Sequence, residues 1–183
     1  MKANNINLHQ DLITDCLEGR SEAYEKLYKL YSRAMYNVCF RIVNDHNEAE
    51  DVLQEGFVSA FKNLTSYKGE ASFGAWLKRI MINKALNTMK KKSVETVPYD
   101  SGLENIGENS TVPEPVYSVE TILKAIRQLP EGYRVVFSLY LLEGYDHGEI
   151  SEILGISEST SKSQYNRSKA RLRELIIESY GKR

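Results

Sequence analysis

Apolar residues recur along this chain at spacings of three and four, with no convincing alternation of period two. The pattern predicts an all-α protein. A short first helix is expected over 8–17, closed by the break Gly19-Arg20-Ser21. A second helix carries Tyr24, Leu27, Tyr28, Tyr31, Met35, Val38 and Ile42 on one stripe. Asn44-Asp45-His46-Asn47 interrupts it, and Asp45 with Glu48 has the spacing of a capping box. A third helix places Ala49, Val52, Leu53, Phe57, Ala60, Phe61 and Leu64 on one side. After a loop at 67–72, a fourth helix over 73–92 is apolar on two sides, as a helix packed between neighbours should be. Its two apolar sets are Phe73, Trp76, Leu77 and Ile80, then Ile82, Leu86 and Met89.

From residue 93 the periodicity lapses. Pro98, Pro113 and Pro115 mix with Gly102 and Gly107, and Glu95, Asp100, Glu104, Glu108 and Glu114 occur without a lysine or arginine. That composition predicts a flexible acidic linker at 95–118 between two small helical domains, 1–94 and 119–183. Helicity resumes at 119–129. Pro130 then opens a helix carrying Tyr133, Val136, Phe137, Tyr140 and Leu141 as far as Gly144.

The most specific signal follows, over 144–175. Asp146 can cap a helix with Glu149 reaching back, and Ile150, Ile153 and Leu154 give it one narrow apolar face. Gly155 supplies the left-handed residue of a tight exit, and Ser157 can cap the next helix. That second helix is expected to turn Thr160, Tyr165 and Leu172 inward. Ser159, Lys162, Ser163, Asn166 and Arg167 project outward, followed by Lys169, Arg171 and Arg173. The pattern is a helix-turn-helix whose second helix offers short polar donors and cations, as a major-groove reader requires. A helical hairpin with a solvated basic face is the plainer alternative. It does not explain why the basic face begins just after a capped glycine turn.

Composition narrows the class. With 183 residues, 42% of them apolar, the chain can bury a core in one domain or two, and no apolar run is long enough to span a membrane. The start MKANNINLHQDL lacks the apolar core of a signal peptide, so a cytoplasmic protein without membrane insertion is expected. Cys16 and Cys39 stand far apart, with no CxxC and no clustered histidine, so neither a metal site nor a disulfide is expected. No P-loop, nucleophile triad or paired carboxylates beside metal ligands appear, so no enzyme and no cofactor is expected. His9, His46 and His147 are scattered near helix starts and are most simply surface residues. A net charge of −1 conceals segregation: acids crowd into 45–55 and 95–114, bases into 78–92 and 162–173. Two kinds of partner follow, one basic and one anionic.

Three surfaces are candidates. Glu48, Asp51, Gln54 and Glu55 project from the third helix opposite Val52, Leu53 and Ala60. The helix dipole attracts acids to a first turn, which accounts for Glu48 but not for Gln54 and Glu55 one turn on. On spacing alone, a docking face for a basic partner and an ordinary acidic helix start stand level. The second surface joins Tyr67 and Lys68 to Trp76, Lys78, Arg79, Asn83, Lys84, Asn87 and Lys90-Lys91-Lys92. Aromatics near cations can stack unpaired bases while lysines hold phosphates. Phe73 and Trp76 read better as core, Arg79 and Asn83 as functional. The third surface is the reading helix. Two nucleic-acid contacts on linked domains make a bivalent binder.

These residues resemble a bacterial RNA polymerase sigma factor of the extracytoplasmic-function (ECF) group, the minimal kind with two domains. Three blocks carry the resemblance: NEAEDVLQEGFVSAF, FGAWLKRIMINKALNTMKKK, and LPEGYRVVFSLYLLEGYDHGEISEILGISESTSKSQYNRSKARLREL. The resemblance implies a subunit that binds core RNA polymerase, directs it to promoters and promotes melting. It implies that Glu48, Asp51, Gln54 and Glu55 dock on the β′ clamp helices of core polymerase, with the β flap as a further contact. Tyr67, Lys68, Arg79, Asn83 and Asn87 would face the −10 element, with loop residues pocketing a flipped base. Ser159, Lys162, Ser163, Asn166 and Arg167 would read the −35 element, with Thr160 and Lys169 on phosphates. An anti-sigma factor is implied as a further partner, the nucleoid as the location in holoenzyme, and the linker as a thread toward the RNA exit path. Departures from the common pattern stand in TSKSQYNRSK, where Ser161 replaces a packed valine and Gln164 and Asn166 are atypical, and at Ile82 and Lys84. The competing expectation is a stand-alone helix-turn-helix regulator with an N-terminal interaction domain, which would need no AEDVLQE docking face.

Overall fold

A computed structural model describes residues 9–95 and 117–180, and among them no strand occurs. The helices are α1 (Gln10–Leu17), α2 (Ser21–Val43), α3 (His46–Lys62), α4 (Phe73–Glu95), α5 (Val119–Arg127), α6 (Glu131–Phe137), α7 (His147–Leu154) and α8 (Glu158–Tyr180). They fall into two compact units, Met1–Thr96 and Val97–Arg183. The expected linker lies outside the described residues over 96–116, as does the tail at 181–183.

In the first unit α2, α3 and α4 each pack against the other two, and α1 lies on α2. The apolar stripes meet as the spacing predicts. Leu27, Met35, Val38 and Cys39 of α2, Ala49, Val52 and Phe57 of α3, and Phe73, Leu77, Met81 and Ile82 of α4 are buried. Burial on both sides of α4 follows from its two neighbours. At the α2–α3 corner, Asn44 adopts the left-handed conformation (φ 58°) and its N–H donates to the Phe40 carbonyl at 2.8 Å. Asp45 then caps α3, its carboxylate accepting from the Glu48 N–H at 3.0 Å. The Glu48 carboxylate itself turns to Lys92 of α4, so an ion pair between helices stands in place of the reciprocal capping bond. Gly56 is buried where α3 approaches α4, and a Cβ there would lie 2.2 Å from Met81 Sδ. Both cysteines are buried free thiols. Burial pushes the Cys39 thiol up to about 12 and raises Cys16 as well, so each is a small apolar core residue at neutral pH.

In the second unit α5, α6 and α7 pack on α8. Ala125, Ile126, Leu129, Tyr133, Phe137, Leu175 and Ile176 form the core, with Tyr165 and Leu172 packed against it. Ser118 caps α5, accepting from the Thr121 N–H at 3.2 Å. The regular helix expected from Pro130 to Gly144 is not maintained. Beyond α6 the chain widens into a π turn at Ser138–Leu142, closed where the Glu143 N–H donates to the Ser138 carbonyl at 3.0 Å. The extra residue per turn shifts the apolar stripe. Leu141 and Leu142 are left exposed, and the Tyr140 ring stacks on His147.

Candidate docking and nucleic-acid interfaces

The polar residues of this α3 face lie as the helical projection places them: Asp51, Gln54 and Glu55 are exposed and Glu48 is half-buried. The face is nevertheless not purely negative. Lys84 of α4 reaches Glu55 at 3.5 Å, and Lys92 pairs with Glu48. Lys84 and Lys92 thus leave the basic group to which sequence spacing assigns them. The Lys84–Glu55 pair is exposed on the acid side and contributes about 0–1 kcal/mol, so a better basic partner can displace it. Gln54 also lines a cleft of about 310 Å³ with Leu53 and Glu50 of α3 and Ser32, Arg33 and Tyr36 of α2. Periodicity of α3 alone could not reveal the contribution of α2, because those residues read as the polar side of a core helix.

Arg79, Asn83 and Asn87 are exposed one turn apart along α4, so they form a single outward stripe. Ahead of them the loop is held shut from within. The Tyr67 hydroxyl donates to the Ala71 carbonyl at 2.7 Å, and its half-buried ring packs edge-on to Phe73 with centroids 5.6 Å apart. Trp76 lies 5.4 Å from the same ring. Phe73 is fully buried, as a core residue should be, and Trp76 half-buried. Gly69 provides the positive φ of 74° at the tip, and Lys68 beside it is exposed. Tyr67 therefore serves as a prop for the loop, while Lys68 is presented to solvent.

The helix-turn-helix is built as its residues predict. The Glu149 N–H donates to Asp146 at 2.8 Å and the Asp146 N–H to Glu149 at 2.9 Å, completing a capping box at α7. Gly155 takes φ 68° and its N–H donates to the Ser151 carbonyl at 2.9 Å. Ser157 accepts from the Thr160 N–H at 3.0 Å to start α8. Ser159, Lys162, Ser163, Asn166, Arg167 and Lys169 are all exposed on α8. Lys162 pairs with Glu158 at 2.6 Å along the helix. Lys169 sits at the margin of this face, its Nζ 5.0 Å from the Tyr165 ring centroid.

One inward assignment is corrected. Thr160 is exposed, its hydroxyl 2.7 Å from Ser157 Oγ. Ser161 and Ser168 are the fully buried positions instead. Small residues let α8 approach its neighbours, and each hydroxyl finds a partner: Ser168 donates to the Tyr165 carbonyl at 2.6 Å, and Ser161 Oγ meets His147 Nδ1 at 2.9 Å. Hydropathy cannot distinguish such serines from surface ones. His147, expected as a surface residue, is half-buried between Tyr140 and Tyr165.

Among the described residues no cluster of His, Cys, Asp and Glu could hold a metal ion, and no helix is long and apolar enough to cross a membrane. What is presented is an acidic helix face, an Arg–Asn stripe beside a propped loop, and a capped helix-turn-helix. Together they define a helical protein with one acidic face and two faces rich in Arg, Lys and Asn.

Comparison with known proteins agrees and is more specific. Residues 27–94 match Sigma-70 region 2, and residues 120–172 match Sigma-70 region 4. ECF RNA polymerase sigma factor SigW of Bacillus subtilis (strain 168) is 31% identical over 171 residues, covering 87% of this chain and 91% of the relative. The ECF RNA polymerase sigma-E factor of Haemophilus influenzae is 27% identical over 180 residues, covering 91% of this chain and 94% of that one. In fold the chain is similar to the sigma factor RpoE, solved in complex with the anti-sigma factor NepR from Bartonella quintana. The TM-score there is 0.58 at 24% identity, covering 84% of this chain and 96% of the other. The chain belongs to the ECF group of RNA polymerase sigma factors.

Proposed function

We propose that this protein binds core RNA polymerase, directs it to promoters and helps open them, without catalysing a reaction of its own. The observation that carries this is one chain uniting a region 2 match, with its exposed α3 acids and α4 Arg–Asn stripe, and a region 4 match bearing a capped helix-turn-helix. A stand-alone regulator has no use for the first of these. The working division is 1–94 for polymerase docking and the −10 element, 95–118 as connector, and 119–183 for the −35 element.

Glu48, Asp51, Gln54 and Glu55 take the basic side chains of the clamp helices, which displace Lys84 from its exposed pair with Glu55. Arg79, Asn83 and Asn87 follow the unpaired strand, and Lys68 at the loop tip neutralises a phosphate beside a flipped base. Extruding a base costs a few kcal/mol, and a charged, aromatic-backed site can offset it without ATP. Ser159, Lys162, Ser163, Asn166 and Arg167 enter the major groove, with Thr160 and Lys169 toward phosphates. The protein works in the cytoplasm, where polymerase and DNA are. A specific inhibitory protein is a further partner, since sigma factors of like fold are known in complex with anti-sigma factors.

Transcription reconstituted from purified core and this chain tests the proposal. Promoter-dependent transcripts are expected only when both are present. Arg167→Ala should lower affinity at the upstream element by about 1–3 kcal/mol, whereas loss of a phosphate-holding lysine should reduce the salt slope by about one with little change in sequence preference. Absence of promoter-dependent transcripts would overturn it.

A further inference from the structure

We infer that His147 is a positioning residue for promoter recognition, setting the reading helix α8 against α7 through Ser161. The inference rests on α8 being the reader of the upstream element. Ser161 lies in the first turn of α8 and is fully buried. A buried hydroxyl is costly unless it is bonded, so the serine needs a partner at a fixed place. His147 Nδ1 supplies it at 2.9 Å.

The imidazole is well placed for this. His147 is the first residue of α7, directly after the Asp146 cap, so its backbone is anchored by the capping box. Its ring stacks on Tyr140 with centroids 4.4 Å apart and planes 14° apart, and it meets Tyr165 of α8 at 5.8 Å. The π turn is what delivers Tyr140 to this stack. Three elements thus converge on one ring, and its remaining degree of freedom is taken up by Ser161.

A hydrogen bond is directional where a methyl contact is not. Ser161 sits on the opposite side of α8 from Ser159, Lys162, Ser163, Asn166 and Arg167. Rotation or sliding of α8 at Ser161 therefore carries those side chains out of register with base edges, whose hydrogen bonds weaken steeply with misalignment. The buried serine and the histidine facing it form one device.

The experiment uses holoenzyme assembled from the full chain and compares transcription from promoters with intact and scrambled upstream elements. His147→Phe keeps the ring stack and removes Nδ1. It should reduce the preference for the intact element about fivefold with core affinity within error of the parent, while the Ser161 hydroxyl left without its partner lowers the melting temperature of the second unit. Adding Ser161→Val makes the pair wholly apolar and should restore the preference to within about twofold. His147→Asn, which keeps a polar atom near the Nδ1 position, should rescue in part. An unchanged preference in His147→Phe, no recovery in the double variant, or a matching loss of core affinity would each overturn the inference. Arg167→Ala is the control. If it abolishes the preference while His147→Phe does not, only the positioning role fails; if it too changes nothing, α8 is not the reader and both fall.

Discussion

Changing Asp51 to Arg together with Gln54 to Ala is expected to reduce affinity for core polymerase by roughly 30- to 150-fold, about 2–3 kcal/mol. Removing one carboxylate from a rim alone would do far less, since exposed pairs contribute little. Reversal does more, because a cation then faces the basic surface for which the acid was matched, and like charges in contact cost several kcal/mol. Gln54 adds a hydrogen-bonding group at the mouth of the α2–α3 cleft. Both side chains are exposed, so helix content and melting temperature should match the parent. Fluorescence anisotropy of the labelled chain titrated with core, at several salt concentrations, measures the effect. Undiminished affinity would remove α3 as the docking face.

Gly56→Val is expected to destabilise the first unit by about 2–3 kcal/mol, lowering its melting temperature by roughly 10–15 °C. Two effects compete. Glycine inside a helix forgoes up to about 1 kcal/mol relative to alanine, and valine recovers only part of that. Against it, a Cβ at this position falls 2.2 Å from Met81 Sδ and 2.9 Å from its Cε. Met81 is fully buried in α4, so it cannot swing into solvent to make room. Overpacking a close-packed contact costs about 1–3 kcal/mol, and the γ-methyls of valine take this case to the upper end. Combining the change with Met81→Ala should recover part of the loss, because the two sites share one space. Circular dichroism melts decide it, and a neutral or raised melting temperature for the single variant would mean α3 and α4 are not in close approach.

Much of this architecture is legible in residue order because its devices are local. A capping box at Asp146 and Glu149, a left-handed Gly155 and a serine cap at Ser157 each depend on neighbours a few positions away, and each forms as expected. The two-sided apolar pattern of α4 likewise announces a helix between two others. What is not legible depends on contacts distant in sequence. Glu48 leaves its capping partner for Lys92, and Lys84 turns to Glu55, because α4 passes beside α3; neither helix alone specifies that crossing. The burial of Ser161 follows from the packed position the resemblance gives it, whereas its bond to His147 across the turn depends on α7 and is not written in α8. The π turn at 138–142 escapes any argument that assumes a constant 3.6-residue period. Among the exposed candidates, the stripe of Arg79, Asn83 and Asn87 is fully legible, since a four-residue step on one helix survives packing unchanged.

Permanganate reactivity of thymines in promoter DNA tests the central claim most directly. With core polymerase and this chain together, and without ATP, thymines of the −10 element should become reactive. Arg79→Ala with Asn83→Ala should suppress that reactivity while leaving polymerase bound to the chain. Thymines that stay protected with both components present, or that open equally well with core polymerase alone, would contradict the account.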